Sequence, residues 1–293
     1  MQVILLLLMI LLADSGSTKC DWIFTNPAGE TLGEFRTIGF NPFFQDSETI
    51  AREIGENQEM MLIAPAVKRV YYYGAGNSSE YFNDIVRKGL AQVFSNAELH
   101  VSHDLDGAAY ATYDGRPCIS CILGTGSNSC YFDGNKIHEQ VPALGYVLGD
   151  EGSGAYFGKW LLAAFLYKKL PVYMANDLQQ EFGLNKQVIF ENVYQKPRPN
   201  RYLAGFARFI DKYKENPAVA EVLHKGMVHF LTEHVLCFPN AREVPVHFVG
   251  SVASNFNVAL ESAAKECGIT IGNIVRKPIT RLMEYHVKYI FGK

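Results

Sequence analysis

The stretch Val101–Tyr131, VSHDLDGAAYATYDGRPCISCILGTGSNSCY, decides how the rest of the chain is interpreted. Asp104 follows an apolar–polar alternation over residues 97–102, so it falls where a predicted strand ends and a helix begins. An apolar run over residues 118–123 predicts a buried strand, and a turn of small residues follows it at 124–128. The N–H groups of such a turn bind anions, and a carboxylate at a strand end can accept a proton. These two features are the minimum for phosphoryl transfer to a hydroxyl.

Length and composition limit the class of protein. The chain has 293 residues, 48% of them hydrophobic, which is enough for a lobe pair of roughly 150 residues each. Its 27 basic and 30 acidic residues give a net charge of only −3, and the basic residues are scattered. A small metabolite is therefore a better partner than nucleic acid, which favours a clustered basic surface. We expect no membrane partner.

The six cysteines are too few for a disulfide scaffold at this length. Cys118 and Cys121 have the spacing of a metal or redox pair, but no second pair accompanies them. The alternative is two thiols in a buried strand, whose alternate residues face opposite ways. That alternative is favoured, and the metal or redox role stays open.

The apolar N-terminus, MQVILLLLMILLA, resembles the core of a signal peptide. No Lys or Arg precedes the run, no cleavage pattern follows it, and it is shorter than the roughly 20 residues that span a bilayer. A central strand buried on both faces also produces a continuous apolar run. We therefore predict a central strand in a cytoplasmic protein, with export as the alternative and Met9 as a second candidate start.

A repeat relates two parts of the chain. Each part reads as strand, Gly/Ser turn, strand, tight turn and strand, which predicts a duplicated lobe whose turns bracket one polyphosphate. The matching residues stand at an offset of 110: Gly16, Ser17, Cys20 and Trp22 correspond to Gly126, Ser127, Cys130 and Phe132.

Periodicity predicts the elements around the repeat. We expect an α/β protein with an N-terminal lobe at 1–116 and a C-terminal lobe at 117–293, with packing of the last helix back on the first lobe as an alternative. A long helical insertion is predicted at about 155–237. The other predicted helices cover 47–61, 79–94, a segment ending at 267 and a last one starting near Pro278, and the other strands cover 68–73, 97–102, 244–249 and 269–275.

Five motifs together resemble the BadF/BadG/BcrA/BcrD ATPase family and, within it, the N-acetylglucosamine kinases. They are Asp14-Ser-Gly-Ser-Thr18, His103-Asp104 before Gly107, Gly124-Thr-Gly-Ser-Asn128, Gly145-Tyr-Val-Leu-Gly-Asp-Glu-Gly-Ser-Gly154 and Phe248-Val-Gly-Ser-Val252. The resemblance covers nearly the whole chain in the family's order. It implies the actin-like, hexokinase-like fold, in which two ribonuclease H-like lobes close on ATP and Mg²⁺. We also expect a homodimer.

The resemblance further implies individual roles. Asp104 would be the base toward the sugar hydroxyl, and Gly250 and Ser251 would lie near the nucleoside. Leu144 stands where animal N-acetylglucosamine kinases have a Trp, which weakens the prediction of the sugar. Thr18 and Thr125 would lie near the phosphates, with Ser15, Gly16, Ser17, Lys19, Gly124 and Gly126 in the same turns, while Asn41, Ser127, Asn128, Gly145 and Asp150 would surround the sugar.

The residues themselves support these roles and leave alternatives. Asp14 at a strand end suits Mg²⁺ held through water, or else it caps a turn. Asp104 is the predicted base, ionised with an ordinary pKa near 4, but it could instead be a helix N-cap, and Asp106 competes with it. The acids and glycines of 149–154 suit sugar hydroxyls, or else they cap the following helix.

Two functions of different classes remain. The first is an ATP-dependent kinase acting on N-acetylglucosamine or a related amino sugar. The second is a BadF-type ATPase or sugar sensor of the same fold without sugar turnover. An ATPase that shares an iron–sulfur cluster with a partner would need cysteines gathered at a surface, and the sequence shows no compact cluster of this kind.

Overall fold

The computed structural model describes residues 8–291. The chain divides into two compact units, one of residues 8–116 with 277–291 and the other Pro117–Arg276. Each unit has a five-stranded sheet and hydrophobic core of its own. The expected α/β class with two lobes is confirmed.

The first sheet has the order β3-β2-β1-β4-β5. Strands β2 and β3 run antiparallel, whereas β4 and β5 run parallel to β1. β1 is central and largely buried, as its apolar run predicts, while residues 1–7 lie outside the described range. The strands are β1 (Met9–Ser15), β2 (Lys19–Thr25), β3 (Thr31–Ile38), β4 (Val67–Gly74) and β5 (Glu98–His103).

Helices cover both faces of this sheet. The helix predicted at 47–61 is two helices, because Asn57 caps a new one by accepting the Met60 N–H. The last helix of the chain packs on this unit, against β1, β2 and the helix that follows β5. The helices are α1 (Ser47–Gly55), α2 (Gln58–Ile63), α3 (Glu80–Val93), α4 (Asp104–Thr112) and α14 (Ile279–Tyr289), and a 3₁₀ turn spans Ala64–Ala66.

The second sheet has the order β10-β9-β6-β7-β8. It repeats the first sheet, since its first strand is again central, with two antiparallel strands on one side and two parallel strands on the other. The predicted duplication of topology is confirmed. The strands are β6 (Cys118–Leu123), β7 (Ser127–Phe132), β8 (Ile137–His138), β9 (Val246–Val249) and β10 (Ile271–Val275).

The residue-by-residue match at an offset of 110 is wrong. The last pair before the turn is Ser15 with Cys20 in the first hairpin and Leu123 with Ser127 in the second. Cys130, which the offset equates with Cys20, lies three residues beyond the second closing pair. The first turn is one residue longer than the second, so the identical letters do not occupy equivalent places.

A helical segment separates β8 from β9, close to the predicted insertion. Its last helix continues into one π-helical segment, Leu231–Val235. No helix within residues 8–291 is long and apolar enough to cross a membrane. The helices of this unit are α5 (Gly145–Leu148), α6 (Gly154–Leu166), α7 (Val172–Phe182), α8 (Lys186–Tyr194), α9 (Pro199–Ala204), α10 (Ala207–Lys212), α11 (Pro217–Phe230), α12 (Ser251–Asn255) and α13 (Asn257–Cys267).

Candidate active site

Two carboxylates lie at the carboxyl-end edge of the first sheet. The parallel strands β1, β4 and β5 are neighbours, and their register aligns Ser15 with Gly74 and Gly74 with His103. Asp14 precedes Ser15, and Asp104 follows His103 directly. Two strand spacings place the backbones of these acidic residues about 10 Å apart. One edge of one sheet therefore carries both of the acidic residues predicted for catalysis.

Asp104 begins α4 and keeps 21% of its side chain exposed. The helix N-cap is His103, whose Nδ1 lies 3.3 Å from the backbone nitrogen of Leu105, so the alternative that Asp104 is the cap is wrong. The same Nδ1 lies 3.3 Å from Asp104 Oδ1. Burial raises the pKa of Asp104, although His103 opposes the shift. The ordinary pKa expected from the sequence is corrected accordingly, and a raised pKa makes the carboxylate a stronger base.

Asp14 lies in a second electrostatic environment on the same edge. Burial raises its pKa to about 7, and the charges of Asp104 and Asp21 add to the shift. Asp21 is its cross-strand neighbour on β2 and is itself bound by Lys19 and by Arg36, whose Nε lies 2.8 Å from Asp21 Oδ1. Burial opposes ionisation of Asp21, but those two cations hold its pKa below the usual value. The charge of Lys19 only partly opposes the rise in the pKa of Asp14, and a bound cation would stabilise the charged form further.

The turn after β1 is fixed by contacts that the sequence did not reveal. The buried Ser15 hydroxyl accepts the N–H of Phe40 at 3.1 Å, so it serves the fold. The Lys19 ammonium group forms an ion pair with Asp21, so this side chain also serves the fold. A Cβ on Gly39 would lie 1.9 Å from the Gly16 carbonyl oxygen, so only glycine fits behind the turn. Gly16, Ser17 and Thr18 lie within the turn itself.

Asn41 lies in the loop between β3 and α1, next to the residues that follow β4. Its Oδ1 accepts the N–H of Phe43 at 3.0 Å, which closes an Asx turn. A Cβ on Gly76, where φ is +84°, would lie 2.5 Å from that Oδ1. The loop therefore rests on the glycine segment that leaves β4, and β4 lies between the strands that carry the two carboxylates.

In the second unit, the turn after β6 is bound by the start of α6. The backbone N–H of Gly154 donates to the Gly124 carbonyl at 2.8 Å, and that of Ala155 donates to the Thr125 carbonyl at 3.1 Å. Ser127 follows the turn and is 5% exposed. Among residues 8–291 its buried hydroxyl has no hydrogen-bond partner. A buried hydroxyl without a partner is costly, and a hydroxyl-bearing ligand would satisfy it.

Asp150 packs directly on this turn. Its Oδ1 accepts the Ser127 N–H at 3.3 Å and lies 2.9 Å from where a Cβ on Gly126 would be. Its φ is +58°, an unfavourable conformation for a residue with a side chain, of the kind that concentrates at functional sites. Burial raises its pKa, and Lys159 is among the groups that oppose the shift. The loop thus holds a strained, buried acid against the turn.

Glu151 and His234 form a buried pair beside Asp150. Glu151 Oε2 lies 3.1 Å from His234 Nε2, and the His234 ring stacks on Phe230. The His234 carbonyl accepts the Ser129 hydroxyl, which ties the π-helical segment to β7. Sequence reasoning missed His234, because its partner Glu151 lies 83 residues away in the chain. The contact anchors the loop that carries Asp150.

The remaining predicted residues of the second unit have individual surroundings. Gly250 has a φ of +122°, and a Cβ there would lie 2.2 Å from the Leu123 carbonyl oxygen, so β9 ends against the turn after β6. Ser251 begins α12. The buried Asn128 bonds the N–H of Ser129 through its Oδ1. Gly145 begins α5 with open space around it and a φ of +72°.

The described residues suit a metal ion that takes most of its ligands from water and a bound phosphate and few from protein side chains. Within residues 8–291 no group of three or more His, Cys, Asp or Glu side chains could hold a metal ion. Asp14, with its raised pKa, fits Mg²⁺ that keeps water and phosphate oxygens as its other ligands. Cys118 and Cys121 are both buried in β6, which favours the strand interpretation over a metal or redox pair.

A cavity of about 570 Å³ lies in the helical segment of the second unit. None of the predicted site residues lines it. Its walls are Phe182, Pro197, Arg198, Arg201, Tyr202, Gly205, Phe206 and Arg208.

Comparisons with known proteins identify the family. No model of a known protein family matches the sequence, and no curated protein matches it significantly. A solved structure from Porphyromonas gingivalis, described as a "putative N-acetylglucosamine kinase", shares 39% identity over 96% of this chain and 99% of that chain, with a TM-score of 0.89. The chain belongs to this N-acetylglucosamine kinase-like family.

More distant structures show the same fold as this family. One from Chromobacterium violaceum, also described as a "putative N-acetylglucosamine kinase", is 14% identical over 95% of this chain and 99% of that chain, with a TM-score of 0.68. A ROK family glucokinase from Streptomyces griseus, solved with glucose and AMPPNP, is 15% identical over 94% of this chain and 97% of that chain, with a TM-score of 0.58. The expected actin-like ATPase and sugar kinase fold is confirmed.

Proposed function

We propose that the protein is an ATP-dependent kinase that phosphorylates a hydroxyl of an amino sugar, with N-acetylglucosamine as the preferred substrate. The observation that carries the proposal is the edge of the first sheet, where Asp14 lies near the end of β1 and Asp104 follows β5, with β4 between these two parallel strands. The similarity to the Porphyromonas gingivalis protein supports the choice of sugar, since that protein is described as a kinase of N-acetylglucosamine.

Asp104 is proposed as the base. A sugar hydroxyl is a poor nucleophile at neutral pH, so a carboxylate must accept its proton while its oxygen bonds to the γ-phosphorus and the bond to ADP breaks. Partial exposure leaves Asp104 accessible to a hydroxyl, and burial of the rest raises its pKa. Asp104 is held at the start of α4, and the N-terminus of this helix favours its charged form.

The nucleotide is proposed to bind through the two turns and Asp14. The turns at 16–18 and 124–126 would bind phosphate oxygens through backbone N–H groups, and Gly250 with Ser251 would lie beside the nucleoside. Asp14 would hold Mg²⁺, which neutralises charge on the phosphates during transfer. Ser15 and Lys19 are proposed to hold the turn in place rather than to contact the nucleotide, because their side chains already bind Phe40 and Asp21.

The sugar is proposed to contact polar groups of each unit. Ser127 offers a buried hydroxyl that lacks a partner among the described residues, and Asp150 is an acceptor held beside it. Asn41 offers an amide in the first unit. Asn128 and Gly145 are retained as neighbours of the sugar on the strength of the family motifs.

An ATPase or sugar sensor without turnover is the second candidate. An ATPase that shares a cluster with a partner needs accessible thiolates, whereas Cys20, Cys118, Cys121 and Cys130 are buried and Cys237 and Cys267 are partly exposed. Two partly exposed cysteines do not make the gathered cluster that this candidate needs.

A panel of sugars tests the proposal. Coupled ADP release is measured with Mg·ATP and glucosamine, N-acetylglucosamine, N-acetylmannosamine, N-acetylmuramic acid or glucose. We expect the highest kcat/KM with N-acetylglucosamine. ADP release that is equal with and without every sugar would support the ATPase instead, and preference for another sugar would correct the substrate.

A further inference from the structure

Two aromatic rings, one on the loop after β3 and one on α3, are not used by the hydrophobic core. Phe43 in the loop is 56% exposed, and its ring centroid lies 4.2 Å from that of Phe82, the third residue of α3. Neither ring belongs to the buried core of the first unit. Phe82 is only partly exposed, so Phe43 presents most of the apolar surface. An exposed aromatic ring beside polar recognition groups is typical of a binding surface. We call Phe43 and Phe82 the aromatic platform.

The platform is fixed beside Asn41. The Phe43 backbone N–H donates to Asn41 Oδ1 at 3.0 Å, so the polar side chain and the ring belong to one turn. A Cβ on Gly76 would lie 2.5 Å from that Oδ1 and 3.1 Å from Phe43 Cδ2. Both groups therefore pack on the segment that leaves β4. The platform lies at the same sheet edge as Asp14 and Asp104.

The Asx turn decides which chemistry Asn41 offers. Its Oδ1 already accepts a hydrogen bond, and within residues 8–291 no partner binds its Nδ2. The side chain is therefore mainly a donor toward a ligand. A donor beside a flat apolar surface matches an acylamino group, whose carbonyl oxygen accepts a hydrogen bond and whose methyl group packs on a ring. A free ammonium group has only donors, so Asn41 Nδ2 opposes it.

We propose that the aromatic platform binds the N-acyl substituent of the sugar, with Asn41 Nδ2 donating to the acyl carbonyl, and that it sets the preference for acylated over free amino sugars. The inference rests on the proposed kinase function and adds Phe43 and Phe82 as specificity-determining residues.

The test compares acylated and unacylated substrates. Wild type, Phe43→Ala and Phe43→Leu are assayed for ADP release with N-acetylglucosamine, N-propionylglucosamine, glucosamine and glucose. Removing the ring should lower kcat/KM for both acylated sugars about tenfold, the scale of one lost apolar contact, and leave glucosamine and glucose unchanged. Phe43→Leu should give an intermediate loss. Both substitutions keep the backbone N–H that closes the turn.

The matched control is Phe190→Ala. Phe190 also forms an exposed ring pair, with Tyr194 at a centroid distance of 5.4 Å, but it lies in α8 of the second unit. It should change no ratio between substrates. Thermal melting of each variant verifies that it is folded.

The outcomes separate this inference from the proposed function. Suppose that wild type phosphorylates N-acetylglucosamine but Phe43→Ala lowers kcat/KM equally for all four substrates, or for none. The aromatic platform then does not recognise the acyl group. A larger loss with glucosamine would mean that the rings attract an ammonium instead. If wild type turns over no sugar, the proposed function fails and the inference fails with it.

Discussion

Asp14 combines a cost to the stability of the folded protein with a proposed role in catalysis. Its folded pKa of about 7 exceeds the usual 3.8, because burial and the nearby Asp104 and Asp21 disfavour its charge. The ionised form therefore destabilises the folded protein without ligand, increasingly so as the pH rises from about 4 to about 7. Sites that bind cations often carry such a cost, which the cation removes.

Replacing Asp14 with Asn should stabilise the ligand-free protein at pH 8 while nucleotide-dependent turnover is lost. The gain in the free energy of unfolding should be about 1 kcal/mol or more at pH 8 and should vanish near pH 4, where the wild-type carboxyl is protonated. Urea denaturation at the two pH values measures it.

The control is Asp46→Asn. Asp46 caps α1 from an exposed position, and its hydrogen bond with Thr49 lowers its pKa, so this change should give no gain at pH 8. An equal gain for Asp14→Asn at both pH values, or none at pH 8, would show that the charge of Asp14 is not the cause.

Single residues differ in how far the sequence predicts them. Asp14 and Asp104 could be predicted as site residues, because local sequence patterns mark the ends of strands. Gly39 and His234 were not, since their importance comes from contacts with Gly16 and Glu151 that only the folded chain creates. The alternative that Asp104 caps its own helix failed because the preceding histidine takes that place.

At the scale of elements, α14 is attached to the first unit through a buried histidine. His286 is fully buried, and its Nε2 lies 2.9 Å from the Tyr73 hydroxyl on β4. Burial and the nearby His100 lower its pKa to about 3. Its neutral form therefore contributes stability that is present above the usual pKa of 6.5 and is lost as the pH falls toward about 3.

We expect stability to fall between pH 7 and pH 5 by about 2 kcal/mol from His286 alone. His286→Gln can still bond Tyr73 but cannot take up a proton, so its free energy of unfolding should depend less on pH by that amount. His229→Gln, a change at an exposed histidine of the second unit, is the matched control and should keep the wild-type pH dependence. Urea denaturation at pH 7 and at pH 5 measures the free energy of unfolding of each protein. An equal loss of stability between the two pH values in His286→Gln and in wild type would exclude this role.

Elements with a strong period were predicted nearly to the residue, as β6 and α3 show. The helix over 47–61 was predicted as one because its apolar period continues across Asn57, whose capping bond is a local geometric choice. The strand β7 begins at Ser127, inside the turn predicted over 124–128, because the polar residues Ser127, Asn128 and Ser129 do not have a strand pattern. Pairing with β6 supplies the backbone hydrogen bonds that their side chains do not predict.

At the scale of the whole molecule, the two sheets share a strand order although few residues repeat. A buried central strand, an antiparallel hairpin and two parallel strands satisfy the same packing requirements with different side chains. The sequence could therefore predict the duplicated topology. It could not predict the hairpin register, because a difference of one residue in turn length shifts every later pair.

The transfer of phosphate from ATP to an amino sugar is the central claim for the whole protein. Purified wild type, Asp104→Asn and Asp106→Asn are incubated with Mg·ATP and N-acetylglucosamine, and the phosphosugar is quantified by mass spectrometry. Asparagine keeps the shape of the side chain but cannot accept the proton, so Asp104→Asn should lower the rate about 10²- to 10⁴-fold at an unchanged melting temperature. Asp106→Asn, the same change two residues on, should lower it far less. Near-normal phosphosugar formation by folded Asp104→Asn protein, or none by wild type, would contradict the claim.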